Sequence, residues 1–109
     1  LVEANFKNSL FTDCLMQYAN FYATKWTNTK ITKTNLVNSC FSYSSFSKVS
    51  LDSVDFSDSE FIDTQLADID FSTSNIDGIK ITMSSLNKMI VNSFQALSLA
   101  GFLGLKIKD

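Results

Sequence analysis

The sequence predicts an all-β solenoid, in which the chain winds in stacked coils around one apolar axis. Two observations lead to this prediction. Every fifth residue from Leu1 to Leu86 is large and apolar, and the residue two positions before it, from Ala4 to Ser84, is small or β-branched. A period this regular identifies an internal repeat, which governs how the rest of the chain is interpreted. The eighteen large residues are Leu1, Phe6, Phe11, Met16, Phe21, Trp26, Ile31, Leu36, Phe41, Phe46, Leu51, Phe56, Phe61, Leu66, Phe71, Ile76, Ile81 and Leu86.

A period of five residues fits neither a straight helix nor a straight strand. On a helix, each step of five turns about 140° past a full turn, so the large residues would scatter around the axis. On a long strand, an odd step moves a side chain to the opposite face. Two residues that are two positions apart do share one side of a short extended segment. The repeat therefore predicts short extended segments joined by bends, in coils that stack at about 4.8 Å.

Several repeats carry a small residue, then Asn or Asp, then a large apolar residue. Examples are Ala4-Asn5-Phe6, Ala19-Asn20-Phe21, Thr34-Asn35-Leu36 and Val54-Asp55-Phe56. In this motif the chain resembles the pentapeptide-repeat family over residues 1 to about 90. The resemblance implies a right-handed parallel quadrilateral β-helix with four repeats per coil, so that eighteen repeats form about 4.5 coils. The Asn or Asp position departs from the motif often, which indicates a diverged member. These departures are Leu10, Leu15, Lys25, Lys30, Cys40 and Lys80.

Four repeats per coil place residues twenty positions apart above one another, so the large residues should form four columns. Each column, and the outward face beside it, takes its name here from one early member. The Phe6 column is Phe6, Trp26, Phe46, Leu66 and Leu86, and the Phe11 column is Phe11, Ile31, Leu51 and Phe71. The Met16 column is Met16, Leu36, Phe56 and Ile76, and the Phe21 column is Leu1, Phe21, Phe41, Phe61 and Ile81.

The regular period fades between Leu86 and Val91, which predicts a repeat domain over residues 1–91 and an end segment over 92–109. A helix is predicted over 93–103, with Asn92 or Ser93 as its N-cap and Gly104 at its C-cap. Such a helix would cover the open apolar end of the solenoid. Residues 105–107 alternate like a short strand. The ending resembles that of the quinolone-resistance-type members, which implies a homodimer contact as a second role. The candidate dimer residues are Phe94, Leu97, Leu99, Phe102 and Leu103.

The composition argues against several classes of function. The chain has no His, and glycine occurs only at Gly78, Gly101 and Gly104, which disfavours general-base catalysis, the usual metal sites and a phosphate-binding loop. The absence of Arg and a net charge of −2 disfavour direct binding of nucleic acid. The longest apolar stretch, residues 96–105, is too short to span a membrane. We therefore expect no enzymatic activity and no cofactor. Cys14, inward, and Cys40, outward, do not form a disulfide framework, which favours a cytoplasmic location.

Charge is unevenly placed along the chain. Residues 52–77 contain eight acidic residues and no lysine, a net charge of −8. Some pentapeptide-repeat proteins resemble duplex DNA and bind DNA gyrase or topoisomerase IV, so the resemblance implies a type II topoisomerase as a candidate partner. On the four columns, however, these acids form a ring around one coil, whereas the charge of a duplex runs along its axis. The acids are Asp52, Asp55, Asp58, Glu60, Asp63, Asp68, Asp70 and Asp77.

Three tyrosines occupy outward positions near one edge of the predicted solenoid. Outward aromatic residues are typical of protein-binding surfaces. The leading hypothesis is therefore a non-enzymatic interaction surface or scaffold for an unidentified protein partner, and the alternative is a DNA mimic that protects a topoisomerase. A third interpretation is an ordinary solvated surface, with the acids aiding solubility. The candidate partner surface comprises Tyr18, Tyr22, Tyr43, Asp55, Asp58, Glu60 and Asp63.

Overall fold

A computed structural model describes residues 4–106 and 108 as a parallel β-helix closed by a short helix. Strands β1 and β2 both pair with β3, β3 pairs with β4, and β5 pairs with β6, all in parallel. The elements are β1 (Asn5–Lys7), β2 (Leu10–Thr12), β3 (Lys25–Thr32), β4 (Ser45–Asp52), β5 (Glu60–Phe61), β6 (Lys80–Ile81), α1 (Met83–Leu86) and α2 (Ser93–Phe102). These parallel pairings confirm the predicted fold class.

Residues twenty positions apart face each other in successive coils. Phe6 pairs with Trp26, Trp26 with Phe46, and Phe61 with Ile81. Isolated bridges keep the same spacing outside the strands. Each coil therefore contains four repeats of five residues, and we number the coils 1 (residues 4–23), 2 (24–43), 3 (44–63) and 4 (64–83).

The four columns of large residues form the core. Their members from Phe21 to Ile81 are buried, and Trp26, Phe41 and Phe61 have no exposed surface. Phe41 stacks between Phe21 and Phe61 with a centroid separation of 5.3 Å on each side. The large residues of coil 1 that precede Phe21 are Phe6, Phe11 and Met16, and they are only half-buried, as is Cys14. The reason is that, among the described residues, a neighbouring coil covers only one side of coil 1.

Inward hydroxyl groups join successive coils. The Ser44 hydroxyl donates to the Phe21 carbonyl oxygen at 2.8 Å and accepts from the Thr24 backbone N at 2.9 Å. The Ser59 hydroxyl makes the same kind of bond to the Leu36 carbonyl oxygen, at 2.8 Å. A small polar residue at this position therefore fits beside the core and also pairs backbone groups that lie 20 and 23 residues earlier in the chain, which explains its frequent identity as Ser or Thr.

The outer wall has two kinds of corner. On the Met16 and Phe21 faces the chain makes tight turns closed by a backbone hydrogen bond, such as that from Ser44 N to the Phe41 carbonyl oxygen. On the Phe6 and Phe11 faces of coils 2 and 3 the chain stays extended, and β3 and β4 each cross both faces as eight-residue strands. In coil 4 the same two faces change to tight turns, which begin at Leu66 and Phe71.

Corner type explains three of the six named departures from the Asn or Asp position of the motif, Leu10, Lys25 and Lys30, which lie in strands. In the tight turns this side chain accepts a hydrogen bond from the backbone two residues later, as Asn35 Oδ1 does from Val37 N at 3.0 Å. Asp55 makes the same bond. This is an Asx-turn, a short-range contact that stabilises a bend. The extended corners have no bend to stabilise, and Lys25 and Lys30 take the position there.

The repeat slips by one residue where the last, partial coil begins. Helical turn α1 replaces an extended segment, and Ser85 occupies the inward position in place of the predicted Ser84, which is exposed. The Ser85 hydroxyl donates to the Phe61 carbonyl oxygen at 2.7 Å. The twenty-residue register then resumes, because Asp70 pairs with Ile90.

Helix α2 covers the carboxy end, and Asn92 is its N-cap. The Asn92 Oδ1 accepts from Gln95 N at 2.8 Å, and Gln95 Oε1 accepts from Asn92 N at 2.9 Å, which together form a capping box. The helix ends at Phe102, one residue earlier than predicted. This reciprocal pair fixes the start of α2 against the last coil.

The side chain that closes the end is polar, contrary to the apolar plug that the sequence predicts. Gln95 is buried, and its Nε2 donates to the Phe71 and Ser74 carbonyl oxygens at 2.8 Å each. Earlier in the chain, carbonyl groups of the large residues accept from a hydroxyl 23 residues later, as Phe21 does from Ser44. Gln95 therefore takes the place of a further coil, and Leu99 packs beside it on the core.

The segment after α2 differs from the predicted strand. Gly104 follows the helix with φ +82° at its expected position. Leu105 N donates to the Ala100 carbonyl oxygen at 2.9 Å, so this residue completes the helix end. Leu105 and Lys106 belong to no strand, and Ile107 lies outside the described residues.

Candidate interaction surface

Four exposed apolar or aromatic residues define a tyrosine patch: Leu15, Tyr18, Tyr22 and Tyr43. Tyr22 and Tyr43 lie on the Phe21 face, where their rings meet edge to face at 5.3 Å. Tyr18 and Leu15 lie on the adjoining Met16 face, with 76% and 79% of their surface exposed. The structure thus joins two of the three tyrosines across neighbouring coils and places the third on the next face.

Two of these tyrosines stand at backbone positions that disfavour bulky residues. Tyr18 has φ +59° and Tyr43 has φ +61°. The left-handed conformation costs a non-glycine residue about 1–2 kcal/mol, and Asn and Asp tolerate it best. Most of the other corners carry Asn, Asp or Gly, for example Asn38, Asp58 and Gly78 on the same face as Tyr18. The two rings are therefore held outward at a cost in backbone energy.

The surface around the tyrosine patch carries no charge. Residues 14–24 and 34–44 form the Met16 and Phe21 faces of the first two coils, and neither segment contains Asp, Glu or Lys. Depletion of charge with enrichment of tyrosine characterises the centre of protein interfaces. This feature is visible in the sequence once four repeats are assigned to each coil, and the sequence-based list of site residues missed it.

The four acids of the predicted partner surface lie one coil further along the same two faces. Asp55 Oδ1 accepts from the Ser57 backbone and hydroxyl, so this carboxylate stabilises its own turn. Asp63 Oδ1 accepts from the Ser84 hydroxyl at 2.7 Å. Glu60 lies 3.9 Å from the Lys80 ammonium in an exposed ion pair. Asp58 is exposed at a left-handed corner. Together they form an acidic margin to the uncharged area.

The acids do not align along the axis of the β-helix. Within the described residues, each row of outward positions spaced by twenty contains at most one acid. The row of Tyr18, Asn38, Asp58 and Gly78 is an example, and the row of Asn20, Cys40, Glu60 and Lys80 is another. The eight acids of residues 52–77 therefore lie in a ring that extends over parts of coils 3 and 4.

One acid of this ring has a perturbed titration. Hydrogen bonds from Ser72, first from its hydroxyl and then from its backbone N–H, hold the pKa of Asp70 below its ordinary value. The backbone bond measures 2.8 Å. Asp70 is exposed, so the shift reports an Asx-turn on the surface.

The exposed apolar residues of α2 form a second surface. Phe94, Leu97, Phe102 and Leu103 are 74%, 52%, 58% and 39% exposed. Leu99, the fifth candidate dimer residue, turns toward the core instead. The dimer contact stays a prediction.

The described residues offer little to bind a metal. None of their His, Cys, Asp and Glu side chains assemble in a group of three or more that could hold an ion. Cys14 and Cys40 are both free and half-buried. Within the same residues, no helix has both the length and the apolar character needed to cross a membrane.

Comparison with known sequences assigns the family. The pattern of pentapeptide repeats matches residues 4–42 and 39–78, with eight copies. The match covers more than half of the chain, which therefore belongs to the pentapeptide-repeat family. Proteins of this family generally serve as structural or interaction proteins. No curated protein sequence matches the chain.

Solved structures that are similar to this chain include QnrB1, described as a plasmid-mediated fluoroquinolone resistance protein, in two trypsin-treated variants. One is 9% identical, covers 100% of this chain and 98% of its own, and has a TM-score of 0.41. The other is 14% identical, covers 99% and 97%, and has a TM-score of 0.37. The pentapeptide-repeat protein Rfr23 from the cyanobacterium Cyanothece 51142 is 11% identical, covers 84% and 87%, and has a TM-score of 0.41.

Proposed function

We propose that this member of the pentapeptide-repeat family is a non-enzymatic interaction protein, and that its tyrosine patch binds a protein partner. The observation that carries the proposal is the coincidence of exposed tyrosines with an uncharged area on two adjoining faces. Tyrosine supplies a large contact area with few rotatable bonds, so aromatic anchors dominate binding energy at many interfaces. The acidic margin then favours a partner that is basic around its own contact area.

Backbone conformation supports the same assignment. Residues held in unfavourable backbone conformations cluster at functional sites. Tyr18 and Tyr43 occupy left-handed corners where Asn would be more stable, and their rings are 76% and 53% exposed. Packing against the core does not account for side chains this exposed. Contact with a partner does account for them.

The acidic residues on this surface do not form a site suited to catalysis. Catalysis by paired carboxylates needs at least one of them in a partly desolvated site. Asp58 and Asp63 are exposed, and Asp55 and Glu60 are partly exposed on the outer wall. The interior beneath them is filled by the stacked phenylalanines. A binding role therefore fits this surface better than catalysis.

Asparagine substitutions test the tyrosine patch without unfolding the protein. Asn is preferred over Tyr in the left-handed conformation, so the double variant Tyr18→Asn/Tyr43→Asn should melt at or above the temperature of the unchanged chain. Its partner binding should fall at least tenfold, measured by titration calorimetry with a partner purified by affinity capture. The matched control is Lys33→Asn, a left-handed corner on the Phe11 face, which should bind normally. Equal binding by the double variant would exclude the patch.

A second candidate function is DNA mimicry toward a type II topoisomerase. Two observations favour it: the net charge of −8 over residues 52–77, and a slender molecule of 42 × 24 × 24 Å. The ring-like placement of the acids favours it less, because duplex charge repeats along the axis. A supercoiling assay with DNA gyrase and a quinolone separates the candidates. Protection at micromolar protein supports mimicry, and the absence of an effect leaves the tyrosine patch as the function.

We further propose a homodimer through α2 and a cytoplasmic location. The exposed Phe94, Leu97 and Phe102 support the dimer, because apolar residues grouped on one helix favour association. Sedimentation equilibrium should report a dimer for the full chain and a monomer for Phe94→Ser/Leu97→Ser. A monomer for both proteins would reject the contact.

A further inference from the structure

The backbone ladder between coils 3 and 4 is interrupted on the Phe6 and Phe11 faces. One edge of β4 pairs with β3 along most of its length. On its other edge, β4 forms a backbone bridge with coil 4 only between Ser45 and Gln65, the Thr73 hydroxyl donates to the Leu51 carbonyl oxygen at 3.4 Å, and pairing resumes at Asp55 beyond the strand. The pair that the twenty-residue register would place between them, Ser50 with Asp70, is not formed in the described structure.

The interruption follows from the change in corner type. β4 is extended across both faces, whereas coil 4 makes tight turns at Leu66 and Phe71 directly beyond it. Asp70 stabilises the second turn by accepting from Ser72 N at 2.8 Å. A tight turn follows a shorter path than an extended corner. The two coils keep the twenty-residue register at both ends of this segment, but their backbones separate along β4.

The consequence is a row of free backbone donors. In coil 2, Lys33 N donates to the Asp52 carbonyl oxygen at 2.9 Å. The equivalent donor in coil 3 is Ser53 N, which has no acceptor among residues 4–106. The same holds for Lys48 N and Leu51 N, whose counterparts in β3 face β4. A strand edge with free N–H groups is a template for a further strand.

A groove of about 510 Å³ lies beside the first half of this edge, on the Phe6 face between coil 3 and coil 4. Its floor is apolar, with Phe46, Val49 and Ile69 almost completely buried. Polar side chains form its walls, with Lys48 on the side of β4 and Asp68 on the side of coil 4. Asp52 and Asp70 are exposed on the adjoining Phe11 face, beside the second half of the edge. The segments 44–54 and 64–74, which border the interruption, thus carry three carboxylates and one ammonium group.

We propose that this groove binds an extended, basic peptide segment of a partner protein, which adds as a strand to the free edge of β4. Main-chain hydrogen bonds to a sheet edge provide affinity for extended peptides, and alternate side chains provide specificity. The buried floor leaves room only for small side chains at the inward positions. The excess of carboxylates selects Lys or Arg at the outward positions. The groove lies apart from the tyrosine patch, and this inference is independent of the function proposed there.

Amide exchange of the free protein tests the first premise. Lys33 and Ser53 are matched residues, since both occupy left-handed corners on the Phe11 face, one coil apart. The Lys33 amide should exchange about tenfold or more slowly than the Ser53 amide, because only the former is hydrogen-bonded. Equal protection of the two amides would show that the edge of β4 is already paired and would overturn the proposal.

Selection from a displayed library of random nonapeptides on the immobilised full chain tests the occupant. Enriched peptides should combine Lys or Arg with alternating small residues and should slow exchange at Lys48, Leu51 and Ser53 by at least tenfold. Asp68→Lys should weaken their binding at least tenfold, whereas the control Asp13→Lys should not. Both changes occur at left-handed corners and alter the net charge equally. Melting temperatures of the two variants verify that both fold.

Several results would overturn the proposal. They are the absence of enriched peptides, enrichment of acidic peptides, equal binding to Asp68→Lys, and protection of the tyrosine patch instead of β4. Slower exchange at Ser53 on raising the protein concentration alone would assign the edge to a second copy of the chain, which also contradicts a peptide occupant.

Discussion

Replacement of Gln95 by leucine should destabilise the protein more than any other single change in α2. The side chain makes three hydrogen bonds, two donated to the Phe71 and Ser74 carbonyl oxygens and one accepted from Asn92 N. Leucine is similar in volume but leaves all three groups without a partner. Each unpaired buried group costs about 1–3 kcal/mol. Because water reaches part of this end, we take the lower limit for each group and expect a loss of about 3 kcal/mol.

Urea unfolding provides the measurement, followed by far-ultraviolet dichroism and by the emission of Trp26, which is fully buried in coil 2. The matched control is Ser98→Leu, an exposed position in the same helix, which should change the free energy of unfolding by less than about 0.5 kcal/mol. Gln95→Glu should lose at least as much stability as Gln95→Leu, since a carboxylate can still accept from Asn92 N but repels the two carbonyl oxygens. The reasoning is refuted if Gln95→Leu unfolds within about 0.5 kcal/mol of the unchanged chain.

Three further predictions use the same unfolding assay. Phe56→Ala should cost about 3–5 kcal/mol because it opens a gap in a fully buried column, whereas Lys25→Ala should cost less than about 0.5 kcal/mol; similar losses would contradict inward stacking. Lys33→Gly should raise the free energy of unfolding by up to about 1 kcal/mol, because glycine adopts a φ of +48° at lower cost than lysine, and a net loss of stability would contradict that backbone cost. The lowered pKa of Asp70 stabilises the fold above the unfolded-state pKa, and this contribution is lost as the pH falls through the folded-state pKa. Asp70→Asn should therefore show a smaller loss of stability on acidification, and an unchanged pH profile would refute this role.

The columns could be predicted from the sequence because a single geometric requirement fixes them. A coil of four repeats has one inward large residue per repeat, so Phe41 must stack between Phe21 and Phe61, and it does. The family motif added the number of repeats per coil, which the period of five alone leaves open. The spacing of the large residues along the chain and their stacking between coils therefore determine the fold.

The carboxy end was harder to predict because the repeat no longer applies there. Ser84 and Ser85 are adjacent serines, and only helical turn α1 decides which one points inward. Gln95 looked like an ordinary polar residue in an apolar helix. The signal that could have identified it is the spacing of three residues between Asn92 and Gln95, which is typical of a capping box. The amphipathic pattern predicts where the helix lies. Which of its side chains covers the end depends on the Phe71 and Ser74 carbonyl oxygens of coil 4, which need a hydrogen-bond donor.

The residue at the Asn or Asp position of the repeat is related to the type of corner that the chain makes. On the Phe11 face it reads Leu10, Lys30, Ser50 and Asp70 through the four coils. The first three lie in strands, and the fourth is the first on this face to form an Asx-turn. The backbone pairing is lost between the third and the fourth. On this face, departures from the motif therefore mark extended corners, and the return of Asp marks where the corner tightens. Since a free strand edge arises where the corner type changes along a face, the sequence of this one position locates the candidate peptide groove.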